Sequence, residues 1–207
     1  MLLRELFKES LPSIRNGREG KVDQALLAKC QAIKEKLAQT AEVKYQEIIR
    51  SCIIHLSWNE EDTAYVKLST RTVTIDQEEF ADAPTAVLVW LIAHEIGHIV
   101  FEHGSAKGQS SQAQEMAADA FANDLVVKMG FTKAPVWTWL GRRKNELGQT
   151  ELDRQLELER DPDNADYFRN KASHPTTDQR RRQAELQGLE LSKPNTDQID
   201  WLMSHLA

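Results

Sequence analysis

Cysteine is scarce, with Cys30 and Cys52 the only two in 207 residues and no CxxC pair between them. Two thiols cannot build a disulfide framework, so a small stapled secreted fold is excluded. Nine glycines and six prolines are too few for the many tight turns of a sandwich or barrel. Positive charge is short too: 26 Lys and Arg stand against 32 Asp and Glu, a net charge of −6. That acidic balance, with no long basic block, argues against nucleic acid or an anionic membrane as the main partner. The longest unbroken apolar run is the eight residues Ala86–Ala93, far below the roughly 18 of a membrane span. The start, Met1-Leu2-Leu3-Arg4-Glu5-Leu6-Phe7, lacks the features of a signal peptide. A cytoplasmic protein is therefore expected.

What is present is a helix-rich pattern, 41% hydrophobic and 28% charged, enough for a packed core. Apolar spacing predicts a helix within Met1–Leu11. It predicts another from Val22 to about Arg50, as one piece or two, burying Leu26, Cys30, Ile33 and Leu37. Three β-rich runs, Cys52–Leu56, Ala64–Leu68 and Thr72–Asp76, predict a small antiparallel sheet. Asp82 and Pro84 are start signals for a helix that is apolar on every side, hence central, and that should stop near Gly104. Gln112–Met129 reads as a helix with Gly130 as its stop. His174-Pro175 opens a short helix through Leu186, and Asp197–Leu206 a last one. The expected fold is α+β and mostly helical: an N-terminal helical arm (1–50), a catalytic core (51–130) and a C-terminal helical subdomain (131–207) packed on it.

The central helix carries His94-Glu95-Ile96-Gly97-His98, an HExxH. Residues four apart on a helix differ by about 6 Å in height and about 40° in direction, so both rings project from one side. Two neutral imidazoles so placed can hold Zn²⁺, one per chain, with Glu95 beside them to take a proton from water. The metal also accounts for such polar groups on an otherwise apolar helix, since buried polar groups need partners. Catalytic zinc wants a third protein ligand. A metzincin would show glycine at position 101 and histidine at position 104; the chain has Phe101 and Gly104. Glu102 and His103 would have to bend back from the end of the same helix. Glu115, at the start of the next helix after a loop, can approach from a second direction and is the best third ligand. Asp119, four residues later, lies on the same side, where it can accept the outer N–H of a ligand histidine.

His94-Glu95-Ile96-Gly97-His98 with Glu115-x-x-Ala-Asp119 resembles the gluzincin zinc metallopeptidases, more narrowly the HtpX / CAAX-prenyl endopeptidase family. His103, five residues past the second histidine, and His174-Pro175 followed by Arg180-Arg181 match further features of that family. The chain departs from its membrane members in having no transmembrane stretch, and only sixteen residues separate His98 from Glu115. That spacing is nearer to compact gluzincins, with the soluble Lit and ImmA/IrrE-type peptidases similar in style.

The resemblance implies a zincin-like core with two central metal-binding helices, and a zinc endopeptidase acting on a protein or peptide. His94, His98 and Glu115 would bind zinc and Glu95 would be the general base. His174 would stabilise the oxyanion, with Tyr167 and Arg180 as runners-up. A sheet edge formed by Thr72, Val73, Thr74 and Ile75 would pair with extended substrate. The alternative is a regulatory binding protein, phage- or toxin-related, in which zinc is structural or the site inactive. Partners beyond the substrate, and the oligomeric state, are left open by the sequence.

Overall fold

A computed structural model of the chain describes residues 21–58, 64–103, 111–132, 156–157, 159 and 175–190. The helices expected in Met1–Leu11 and Asp197–Leu206 lie outside these residues, as do Tyr167 and His174. The described part is α+β, six helices and one three-stranded sheet.

The expected Val22–Arg50 helix is two: α1 (Gln24–Thr40) and α2 (Val43–Ser51). Asp23 caps α1 by accepting from the amides of Ala25 and Leu26, and Ala41 breaks it by turning extended at φ −69° and ψ 159°. Leu26, Cys30, Ile33 and Leu37 are buried, as their spacing predicts. Both cysteines are buried free thiols, and burial pushes each up to about 11, so they stay neutral.

The sheet comprises β1 (Ile53–Ser57), β2 (Ala64–Lys67) and β3 (Thr72–Asp76), and it is mixed rather than antiparallel. β3 lies in the centre, parallel to β1 from Ile53↔Thr72 to Ser57↔Asp76 and antiparallel to β2 from Ala64↔Ile75 to Lys67↔Thr72. The burial pattern gives the reason. Val73, Thr74, Ile75 and Asp76 are buried in succession, so both faces of β3 are covered. β2 alternates half-buried and exposed, as a strand at the rim does. A tight turn at Leu68–Thr70, closed by Arg71 in the left-handed region, folds β2 back on β3.

Asp76 ends β3 and caps the one-turn α3 (Gln77–Phe80). The next helix, α4 (Thr85–Val100), starts at Pro84 rather than Asp82: the Pro84 carbonyl accepts from the amides of Val87 and Leu88. Thirteen of its residues are buried, among them Leu88, Ile92 and Ile96, which are fully enclosed. Each such side chain contributes roughly 1.5–3 kcal/mol of transfer free energy. α4 therefore runs through the middle of the core. α5 (Ser111–Lys128) packs along it, and α6 (Thr177–Leu186) packs on α5. Thr176 and Gln179 form a capping box at the start of α6. One hydrophobic cluster extends from Leu26 on α1 to Leu189 beyond α6. Among the described residues no helix is long and apolar enough to cross a membrane.

Candidate metal centre

Helices α4 and α5 meet at Gly97 and Ala118. A Cβ on Gly97 would lie 3.1 Å from the Ala118 Cα, a backbone atom that cannot swing aside. Glycine between the two histidines thus permits a close crossing. One turn before Ala118 on α5 stands Glu115, and the crossing delivers it to the ring pair on α4.

The Nε2 atoms of His94 and His98 are 3.2 Å apart. Glu115 presents one carboxylate oxygen to each ring, Oε2 at 3.4 Å from His94 Nε2 and Oε1 at 3.4 Å from His98 Nε2. One ligand atom from each of the three residues lies within 4.8 Å of the others, so the group could hold a metal ion. The two 3.4 Å distances run to different oxygens of Glu115, so the common bound on one atom from each residue is the 4.8 Å. Four ligand atoms bonded at about 2.0–2.1 Å around a tetrahedral centre are about 3.3–3.4 Å from one another. Two imidazoles and a carboxylate this close need positive charge among them, supplied by a proton on His94 or by a metal ion.

Behind His94 the surroundings are ionic. Its Nδ1 lies 2.9 Å from Asp119 Oδ1, an ion-pair contact too poorly aligned to count as a full hydrogen bond, and Nε2 is the ring atom turned to Glu115 and His98. Asp119 in turn accepts from Arg180, Nε to Oδ2 at 2.5 Å and Nη2 to Oδ1 at 2.7 Å. Trp90, one turn before His94, stacks on the imidazole with centroids 5.1 Å apart and planes at 16°, and donates its indole N–H to Asn123 at 2.8 Å. Burial opposes the charged form of His94, yet the hydrogen bonds to Asp119 and Glu115 outweigh it and lift the ring to about 10. Burial also works against Asp119 ionising, but the guanidinium of Arg180 and its bond to His94 hold the carboxyl well below the usual range.

Behind His98 the surroundings are neutral. α4 ends four residues short of Gly104: Glu102 takes φ +51°, its amide donates to the Ile99 carbonyl, and the His103 amide donates to the His98 carbonyl. This pair of bonds is a Schellman ending, which brings the side chains of its first and last residues together. Here those residues are His98 and His103, whose Nδ1 atoms are 2.8 Å apart. With Nδ1–H of His98 donating to His103, the Nε2 lone pair of His98 is free to face Glu115. Phe101 stacks on His103 at 5.5 Å and meets Tyr45 and Phe121 edge-on, while Gln114 donates to the His103 carbonyl. Burial, and then the neighbouring charge of His94, push His98 down to about 4.

The family model described as peptidase U49 matches residues 75–195, more than half of the chain. The chain belongs to the peptidase U49 family. No curated protein and no solved structure matches it. The stretch shared with U49 peptidases starts in β3 and takes in α4, α5 and α6, so it contains the HExxH, Glu115, Asp119 and Arg180. β1, β2 and the two N-terminal helices fall before it.

In this U49 family member the structure gathers His94, His98, Glu115 and Asp119, and Glu95 is buried on α4 where its charge bears on both His94 and Arg180. Arg180 gives two of its N–H groups to Asp119 instead of pointing them at a substrate oxygen. The expected substrate edge is corrected. Thr72, Val73, Thr74 and Ile75 pair with β1 on one side, and Thr72–Ile75 pair with β2 on the other, so neither side of β3 is open to a peptide. His103 lies outside the group of three that could hold a metal and meets His98 instead, and its distance of five residues from His98 is the sequence signal of that ending.

Proposed function

We propose that this member of a peptidase family is a zinc-dependent endopeptidase of the gluzincin type, with His94, His98 and Glu115 holding one Zn²⁺. The observation that carries the reading is the convergence of one atom from each of the three groups within 4.8 Å, the two Nε2 atoms 3.2 Å apart and each 3.4 Å from one Glu115 oxygen. When bound, zinc supplies Lewis acidity that polarises a scissile carbonyl and makes water acidic enough to attack near neutral pH. Glu95 accepts the proton of the attacking water and returns it to the departing amine. With zinc bound, Asp119 and His103 would hold the two imidazoles by their Nδ1 atoms and leave both Nε2 atoms to the ion. His174 remains the proposed oxyanion donor.

Substrate recognition moves from β3 to β2, whose described pairing is with β3 on one side and which packs against α4. An extended protein segment added to Ala64–Lys67 would gain backbone hydrogen bonds beside the metal helix. The likeness to the HtpX / CAAX-prenyl group, a zincin-like core and action in the cytoplasm belong to the same reading.

Replacing Glu95 with Gln tests it. The variant should bind zinc as the parent does and lose about 10²–10⁴-fold in peptide cleavage. Undiminished cleavage by Glu95→Gln, or full activity after complete zinc removal, would refute the mechanism. Tight zinc with no Glu95-dependent cleavage would favour the binding-protein alternative.

A further inference from the structure

We infer that Arg180, on a helix remote in sequence from the HExxH, is a positioning residue for the metal centre: its two-bond fork on Asp119 aims that carboxylate at His94 and so orients the first ligand ring. The inference rests on the zinc reading above and adds a residue from α6 to it.

The geometry carries it in three steps. Asp119 has two oxygens to place, and Arg180 takes both, one through Nε and one through Nη2. A bidentate guanidinium fixes the plane of a carboxylate, which a single hydrogen bond does not. The Oδ1 so fixed is the atom 2.9 Å from His94 Nδ1. Arg180 also lies over Trp90, its Cζ 5.7 Å from the ring centroid, and Trp90 stacks on His94. The guanidinium therefore acts on the same imidazole by two routes, through Asp119 at its edge and through Trp90 at its face. Neither route touches His98.

Docking of α6 gives the fork its place. Gln183 donates to the Met116 carbonyl at 2.8 Å and Gln187 to the Ala120 carbonyl at 2.9 Å, both on α5. Arg180, Gln183 and Gln187 recur at three and four residues, one stripe of α6 laid along α5. Among the described residues the side chains of Gln183 and Gln187 bond backbone carbonyls and Asn123, whereas Arg180 reaches the carboxylate behind His94. Docking and positioning can thus be separated by mutation.

The experiment is a Co²⁺ titration of the full chain, read by the visible d–d absorption of the bound ion, for the parent, Arg180→Gln, Arg180→Lys and Gln183→Ala. Arg180→Gln should bind Co²⁺ about 10–100-fold more weakly and with an altered d–d band, the usual penalty for losing a group that orients a ligand. Arg180→Lys keeps the charge and loses the fork, so its affinity should lie between the two; it also serves if Arg180→Gln fails to fold. Gln183→Ala loosens docking and should keep the parent affinity and spectrum while melting earlier. The inference is overturned if folded Arg180→Gln or Arg180→Lys binds Co²⁺ with the parent affinity and spectrum, or if Gln183→Ala weakens binding as much as Arg180→Gln does. A parent protein that takes up no Co²⁺ would overturn the zinc reading together with it.

Discussion

His94 and His98 are one turn apart on the same helix and aim their Nε2 atoms at the same carboxylate, yet the groups behind them differ in kind. His94 is backed by a buried aspartate that is itself forked by arginine, and Trp90 covers its face. His98 is backed by another imidazole, stacked on Phe101 at a helix end. The ionic side draws its polar groups from three helices, whereas the paired rings of the neutral side, His98 and His103, both come from the end of one. A charged partner makes the stronger hydrogen bond and raises ring basicity, but it must be paired wherever it is buried. A neutral partner demands little else around it. One site thus combines a stiff, long-range anchor with a local one.

Removing the ionic anchor should have the largest effect. Asp119→Ala leaves the Arg180 charge without its carboxylate and the His94 ring without the anion 2.9 Å from its Nδ1. Breaking a buried pair from one side costs about 3–5 kcal/mol, and zinc affinity should fall about 10–100-fold. Thermal melting and metal titration read the two separately. If Asp119→Ala melted no earlier than His103→Ala, the contrast between the sides would be false.

A smaller loss is expected from His103→Ala. One neutral hydrogen bond contributes about 1 kcal/mol, and His98 is exposed enough, at 13% of its side chain, for water to take over. Zinc affinity should fall by about tenfold, the lower end of the range for orienting groups. A loss equal to that of Asp119→Ala would mean that the local anchor matters as much as the remote one.

The finest test is pH. In chelator-treated protein His94 is held up at about 10 and His98 down at about 4, against an ordinary 6.5 for both. A raised histidine adds stability that is complete below 6.5 and disappears as pH climbs through about 10. A depressed one adds stability that is complete above 6.5 and disappears as pH falls through about 4. Through these two rings the melting temperature should decline on both sides of neutrality. Asp119→Ala should flatten mainly the alkaline limb; an alkaline limb unchanged in that variant would detach it from His94.

Much of the candidate site was legible along the chain because helices repeat. Four-residue spacing puts His94 beside His98 and Glu115 beside Asp119 whatever the rest of the fold does. The reversal that lets Glu115 approach was also legible, from the loop expected before its helix. The substrate strand was misread because Thr72–Ile75 is close to α4 in sequence, whereas its neighbours in space are β1 and β2. His103 was visible as a histidine five residues on, but its role depends on a left-handed Glu102, which side-chain chemistry does not announce. Arg180 was legible as a runner-up for the oxyanion and as one of the arginines after His174-Pro175, not as the partner of Asp119.

By itself, then, the order of residues determined the helices, their apolar faces and the chemistry of the candidate ligand groups, because each depends on contacts within a turn or two. The strand order and the fork of Arg180 on Asp119 were decided by tertiary structure alone. Both join segments that are distant along the chain, and such bonds exist only once burial has packed β3 between two partners and laid α6 against α5.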